Sequence, residues 1–148
     1  MAGAVVESIA LERRASHAAT VEETVHDRDV VIVATNSLAP VLDAGWISPG
    51  THVSTLGPKT RSEHEVPAAL AERAERAESI LTDSSAQLAA YPEPHLFADH
   101  PVTDLGAVLA GAATARCSPD QVTVFCSVGL AGTEVAVAEA LCDRIGPR

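Results

Sequence analysis

Short apolar, β-branched runs alternate with stretches rich in Ala, Leu and Glu along this chain. That alternation is the pattern of an α/β domain with a mostly parallel sheet. The clearest run, Asp29–Thr35, is continuously apolar in its middle and predicts a parallel strand covered on both faces. Thr51–Leu56, Ser79–Asp83 and Gln121–Cys126 predict further strands. Pro67–Glu78 predicts a helix from the spacing of Leu70, Ala74 and Ala77. Leu130–Ile145 predicts another, with Val135, Ala138, Leu141, Cys142 and Ile145 on one stripe. Thr20-Val21-Glu22-Glu23 reads as a capping box opening a short helix that ends near Asp27. Residues 3–12 fit the tail of a helix, Arg14–Ala19 a strand, and Leu105–Ala113 a short helix. Pro92, Pro94 and Pro101 break the rest of 84–120, where no other element is predicted, and Pro49-Gly50 marks a turn.

Composition narrows this picture. A chain of 148 residues supports one domain with a single core. The apolar fraction is 47% but the aromatic fraction only 3%, so that core is aliphatic. A net charge of −10 and the lack of Lys/Arg clusters argue against a nucleic-acid partner. No apolar run reaches the ~18 residues of a membrane span, and no signal peptide is visible at Met1–Arg14, so a cytoplasmic setting without a membrane partner is expected. Cys117, Cys126 and Cys142 form neither a disulfide framework nor a zinc motif.

Candidate chemistry lies at the ends of the predicted strands. No G-x-G-x-x-G turn is present; the nearest approach is Gly129-Leu130-Ala131-Gly132. A dinucleotide would therefore lack its usual phosphate cradle on this chain. Val33-Ala34-Thr35-Asn36-Ser37 closes a strand with small polar residues, which suit either close approach of a ligand or an ordinary strand-to-loop transition. The strand through Val53, Ser54, Thr55 and Leu56 runs into Gly57-Pro58-Lys59, which carries the only lysine. That lysine suits an anion site or an acid, or is simply an exposed loop charge. Ser127-Val128-Gly129 ends the last strand, where glycine permits close approach. The six histidines have no metal-ligand spacing, so no metal site is expected.

Taken together, Asp29–Ser37 (DVVIVATNS), Pro49–Glu65 (PGTHVSTLGPKTRSEHE), Thr103–Gly111 (TDLGAVLAG) and Ser118–Ala131 (SPDQVTVFCSVGLA) resemble, in order and spacing, the carboxyl-terminal part of the ornithine cyclodeaminase/mu-crystallin family. The resemblance implies a partial Rossmann-like parallel sheet with flanking helices over 1–148, lacking the first strands and the glycine-rich loop. It also implies that the helix within 130–148 returns to a dimerisation domain. The family's members are homodimeric and use NAD or NADP on amino-acid-like substrates. By position, Thr35, Val53, Ser54, Thr55, Leu56 and Ser127 are implied to line the cofactor, and Val128 the substrate. Lys59 falls where the cyclodeaminases place a catalytic aspartate, and Glu63 where they place a cofactor-contacting lysine. A lysine does not replace a carboxylate as the same acid/base without a large pKa change, so cyclodeaminase chemistry is not expected. The resemblance further implies a truncated chain, weak or inactive alone, with Val30–Val33 exposed along an edge and offset by self-association. Three readings stay open at this point. They are an NAD(P)-dependent amino-acid/imine oxidoreductase part, a non-catalytic binding or oligomerisation module, and an inactive remnant.

Overall fold

The computed structural model describes residues 16–74 and 79–146. Its centre is a five-stranded sheet of β1 (Val30–Val33), β2 (His52–Thr55), β3 (Ile80–Thr82), β4 (Thr103–Asp104) and β5 (Thr123–Cys126). The spatial order is β1-β2-β5-β3-β4, and every pairing is parallel. The partial Rossmann-like α/β class expected from the sequence is thus the observed one. The chain leaves β2, skips one position to lay down β3 and β4, and returns to fill the gap with β5.

Helices α1 (Val21–Val25), α2 (Leu70–Arg73), α3 (Ser85–Ala89), α4 (Leu105–Leu109) and α5 (Ala131–Ile145) flank the sheet, with a 3-10 turn at Ala44–Trp46. The capping box at α1 is present: the Glu23 N–H donates to Thr20 Oγ1 at 3.2 Å, and the Thr20 N–H to Glu23 Oε2 at 3.3 Å. Ser84 caps α3, its Oγ accepting from the Gln87 N–H at 3.1 Å. No helix among the described residues is long and apolar enough to cross a membrane.

Side chains alternate across a strand, and here the two sides fare differently. Val31, Val33, Val53, Thr55, Val124, Cys126, Ile80 and Thr82 are all buried. Their apolar members belong to one core with Leu42, Ile47, Val66, Leu70, Leu88 and Phe97. On the other side Val30 and Ile32 are 57% and 68% exposed. The expectation of a strand covered on both faces is therefore corrected. No described element roofs β1 on that side, and β1 pairs only with β2. Helix α4 roofs the far half, where Leu81 and Thr123 are buried.

Other expectations need smaller corrections. Residues 16–19 form no strand, and residues 3–12 lie outside the described region. The helix expected over 67–78 is helical only at Leu70–Arg73 among its described positions. Two elements within 84–120, α3 and the two-residue β4, were not expected at all.

Candidate functional site

Open parallel sheets bind ligands at the carboxyl ends of their strands. Here that rim is held by three carboxylates. Glu65 is fully buried on the loop after β2 and reaches back to two strand ends. Its Oε2 accepts from the Thr35 N–H at 2.7 Å and the Thr35 hydroxyl at 2.8 Å. Its Oε1 accepts from the Thr55 hydroxyl at 2.7 Å, the Leu56 N–H at 3.0 Å and the Gly57 N–H at 2.5 Å. The approach is so close that a Cβ at Gly57 would collide with the Thr35 carbonyl and with the carboxylate itself.

Asp83, just past β3, performs the same task for β5. Its Oδ1 accepts from the Val128 N–H at 2.7 Å, and its Oδ2 from the Gly129 N–H at 2.9 Å and the Ser127 hydroxyl at 3.1 Å. Asp104, at the end of β4, accepts from the Ser85 N–H at 2.6 Å and the Ser85 hydroxyl at 2.9 Å. Burial alone would raise the pKa of Glu65, but the donors from Thr55, Gly57 and Thr35 outweigh it and hold the carboxyl below its ordinary range. Asp83 is governed likewise: burial raises, the Val128 and Gly129 N–H groups and the Ser127 hydroxyl lower, and the net shift is downward. Both groups are ionised at neutral pH.

The residues singled out from sequence fall into two clusters on this rim. Thr35, Thr55, Leu56 and Lys59 gather around Glu65 and Gly57, with both threonine hydroxyls donated to Glu65. The Lys59 residue is 8% exposed; its ammonium donates to the Gly57 carbonyl at 2.6 Å and reaches the Leu56 carbonyl at 3.5 Å. Ser127 and Val128 gather around Asp83. The clusters adjoin, because the Ser127 N–H donates to the Thr55 carbonyl at 3.1 Å. Val53 is fully buried, so only its backbone runs near the rim, whereas Ser54 is half-buried on the open face and Leu56 is exposed.

Glu65, Asp83 and Asp104 were not identified from sequence. Asp83 carried a readable signal, an acid closing the buried run Ser79–Thr82. Glu65 carried none: it sits among exposed charges, and its partner Thr35 is 30 positions away. Beside Asp83 and Ser127 opens a mainly apolar cavity of about 810 Å³, bounded by Phe125, Leu105 and Leu109 below and by Val137 and Leu141 of α5 above. Cys126, beneath the rim, is an unreactive thiol, its pKa pushed up to about 11 by burial. No three His, Cys, Asp or Glu side chains converge to hold a metal among the described residues.

The parallel sheet and its flanking helices define a partial Rossmann-like α/β domain. The sequence matches the ornithine cyclodeaminase/mu-crystallin family over residues 3–147, and the chain belongs to that family. It is 31% identical to the iminosuccinate reductase of Paracoccus denitrificans over 79% of this chain and 37% of that enzyme. It is 28% identical to the alanine dehydrogenase of Archaeoglobus fulgidus over 78% of this chain and 37% of that enzyme. The crystal structure of the Paracoccus reductase in complex with NAD+ superposes with a TM-score of 0.72, at 26% identity, over 93% of this chain and 44% of that one. The chain thus spans less than half the length of these relatives. These relatives are thus a reductase and a dehydrogenase by name, and the reductase is solved with NAD+.

Proposed function

We propose that this chain forms the nicotinamide side of an NAD(H) or NADP(H) site serving the oxidation of an amino acid or the reduction of its imine. The observation that carries the reading is the rim itself: the ends of β1, β2 and β5 adjoin and are held rigid by Glu65 and Asp83. Preorganised backbone and hydroxyl groups are what a site needs in order to orient a cofactor. Thr35 would line one flank, and Ser54, Leu56 and the backbone of Val53 and Thr55 the floor. Ser127 would line the other flank, with Val128 next to the substrate. These strand-end residues leave room for the nicotinamide and its ribose, with the Thr35, Thr55 and Ser127 hydroxyls held in place by Glu65 and Asp83. The sequence offers no glycine-rich turn for the pyrophosphate, so we expect weak binding and little or no turnover by this chain alone. Bound nicotinamide supplies the hydride chemistry.

Lys59 stands at the cyclodeaminases' aspartate position, yet its ammonium is committed to two carbonyls of its own loop. A general acid or base must reach the proton it moves. We therefore assign Lys59 to shaping the Gly57 turn, and the ancestry to reductases or dehydrogenases rather than cyclodeaminases. A cytoplasmic location suits such an enzyme and its three free cysteines.

A second reading, a non-catalytic module that self-associates as a homodimer, is favoured by the exposed Val30 and Ile32 and by exposed Val135, Val137, Leu141 and Ile145 on α5. Titration with NADH and NADPH, followed by Trp46 quenching and nicotinamide fluorescence, separates the two. Saturation at micromolar cofactor supports the first reading. No binding up to millimolar, by a chain whose circular dichroism shows it folded, overturns it and leaves the module.

A further inference from the structure

We propose that Glu65 is a positioning residue whose fixed charge biases the site toward the oxidised, cationic form of the nicotinamide. The inference rests on the cofactor reading above and asks what this rim does once a dinucleotide lies on it. Every donor to Glu65 is neutral: three backbone N–H groups and two threonine hydroxyls. No cation lies within ion-pair distance of it among the described residues. A buried carboxylate satisfied in this way keeps its charge, because hydrogen bonds stabilise the ion without cancelling its field. The donors belong to Thr35, on one flank assigned to the cofactor, and to Thr55, Leu56 and Gly57, at and just past the strand end assigned to its floor, so the charge lies against both.

Lys59 opposes it from the other side of the same turn. The Gly57 N–H points to the Glu65 anion, while the Gly57 carbonyl accepts from the Lys59 ammonium. The turn is held between a negative and a positive group, and the two act on a cationic ring with opposite sign. Reduced nicotinamide is neutral and feels little of either. The preference between NAD+ and NADH therefore reads the field, whereas damage to the shape of the rim weakens both forms together.

The experiment measures dissociation constants for NAD+ and for NADH with the full chain, by calorimetry, alongside the melting temperature of each variant. In Glu65→Gln the ratio Kd(NAD+)/Kd(NADH) is expected to rise roughly tenfold, the effect of removing one unit charge at short range. In Lys59→Met the same ratio is expected to fall. This second variant tests the field even where Glu65→Gln does not fold. Equal weakening of both cofactor forms in Glu65→Gln, with the ratio unchanged, overturns the proposal, as does an unchanged ratio in a folded Lys59→Met. A wild-type chain that binds neither form overturns the cofactor reading and this inference with it, an outcome distinct from binding that is indifferent to charge.

Discussion

Ile80 and Ile32 lie on strands of one sheet and share a side chain, but the first is 2% exposed and the second 68%. Ile80 faces the side closed by Leu70, Leu88 and Phe97, whereas Ile32 faces the side on which the nearest roof, α4, stops short of β1. Residue type is the same on both faces, so what separates them is cover supplied from elsewhere. Burial is the source of hydrophobic stabilisation, about 25 cal/mol per Å² removed from water. The covered face therefore holds the fold together, while the open stretch around Val30 and Ile32 contributes little.

Matched substitutions are the most direct way to break this comparison, and they carry the largest expected effect. Ile80→Ala should cost about 2–5 kcal/mol, through lost burial and the cavity left behind. Ile32→Ala should stay within about 0.5 kcal/mol, the range of surface changes. Urea melts of the two variants check this. Equal losses would mean that the open face is covered in solution by something the described residues do not include.

Two glycines extend the contrast from the faces to the rim. Gly57 is wedged against the Thr35 carbonyl and Glu65, whereas Gly106, inside α4, has open space where a Cβ would project. Gly57→Ala should cost about 1–3 kcal/mol by overpacking. Gly106→Ala should gain about 0.5–1 kcal/mol, because alanine loses less entropy than glycine in a helix. Thermal melts compare the pair, and a neutral Gly57→Ala would show the Glu65 carboxylate to be less tightly held than its distances imply.

How far these differences were legible in the sequence depends on the range of the interaction that makes them. The strands at Val30–Val33, His52–Thr55, Ile80–Thr82 and Thr123–Cys126 were readable because runs of β-branched and apolar residues are a local signal. So was the Thr20–Glu23 capping box, whose partners are three residues apart. The two-residue strand β4 was not, since it exists only through pairing with Leu81 and Thr82 and sits among prolines. The exposure of Ile32 was not readable either: a continuous apolar run looks the same whether one face or two are covered. At the site, small and hydroxyl-bearing strand ends marked the right neighbourhood. The carboxylates that organise it reach across 30 positions from Glu65 to Thr35 and 45 from Asp83 to Val128, and no local pattern encodes such a reach.

An effect on stability as small as that of Ile32→Ala is expected from Ile32→Lys, and it decides what the open face is for. A lysine there should leave the urea midpoint within about 0.5 kcal/mol of wild type, since the side chain already meets solvent. Its effect on association should be much larger. Edge strands with apolar exposed residues invite pairing with another chain, and a charge on them is the usual deterrent. If the open face mediates self-association, sedimentation should show wild type as an oligomer and the lysine variant as a monomer of equal stability. The chain carries a net charge of −10, so an added positive charge reduces general repulsion between copies. Loss of association in spite of that reduction points to the face itself rather than to colloidal charge. Ile32→Glu should then disperse the oligomer at least as well. Dispersal by glutamate but not by lysine would mean that overall charge, and not the apolar face, governs association.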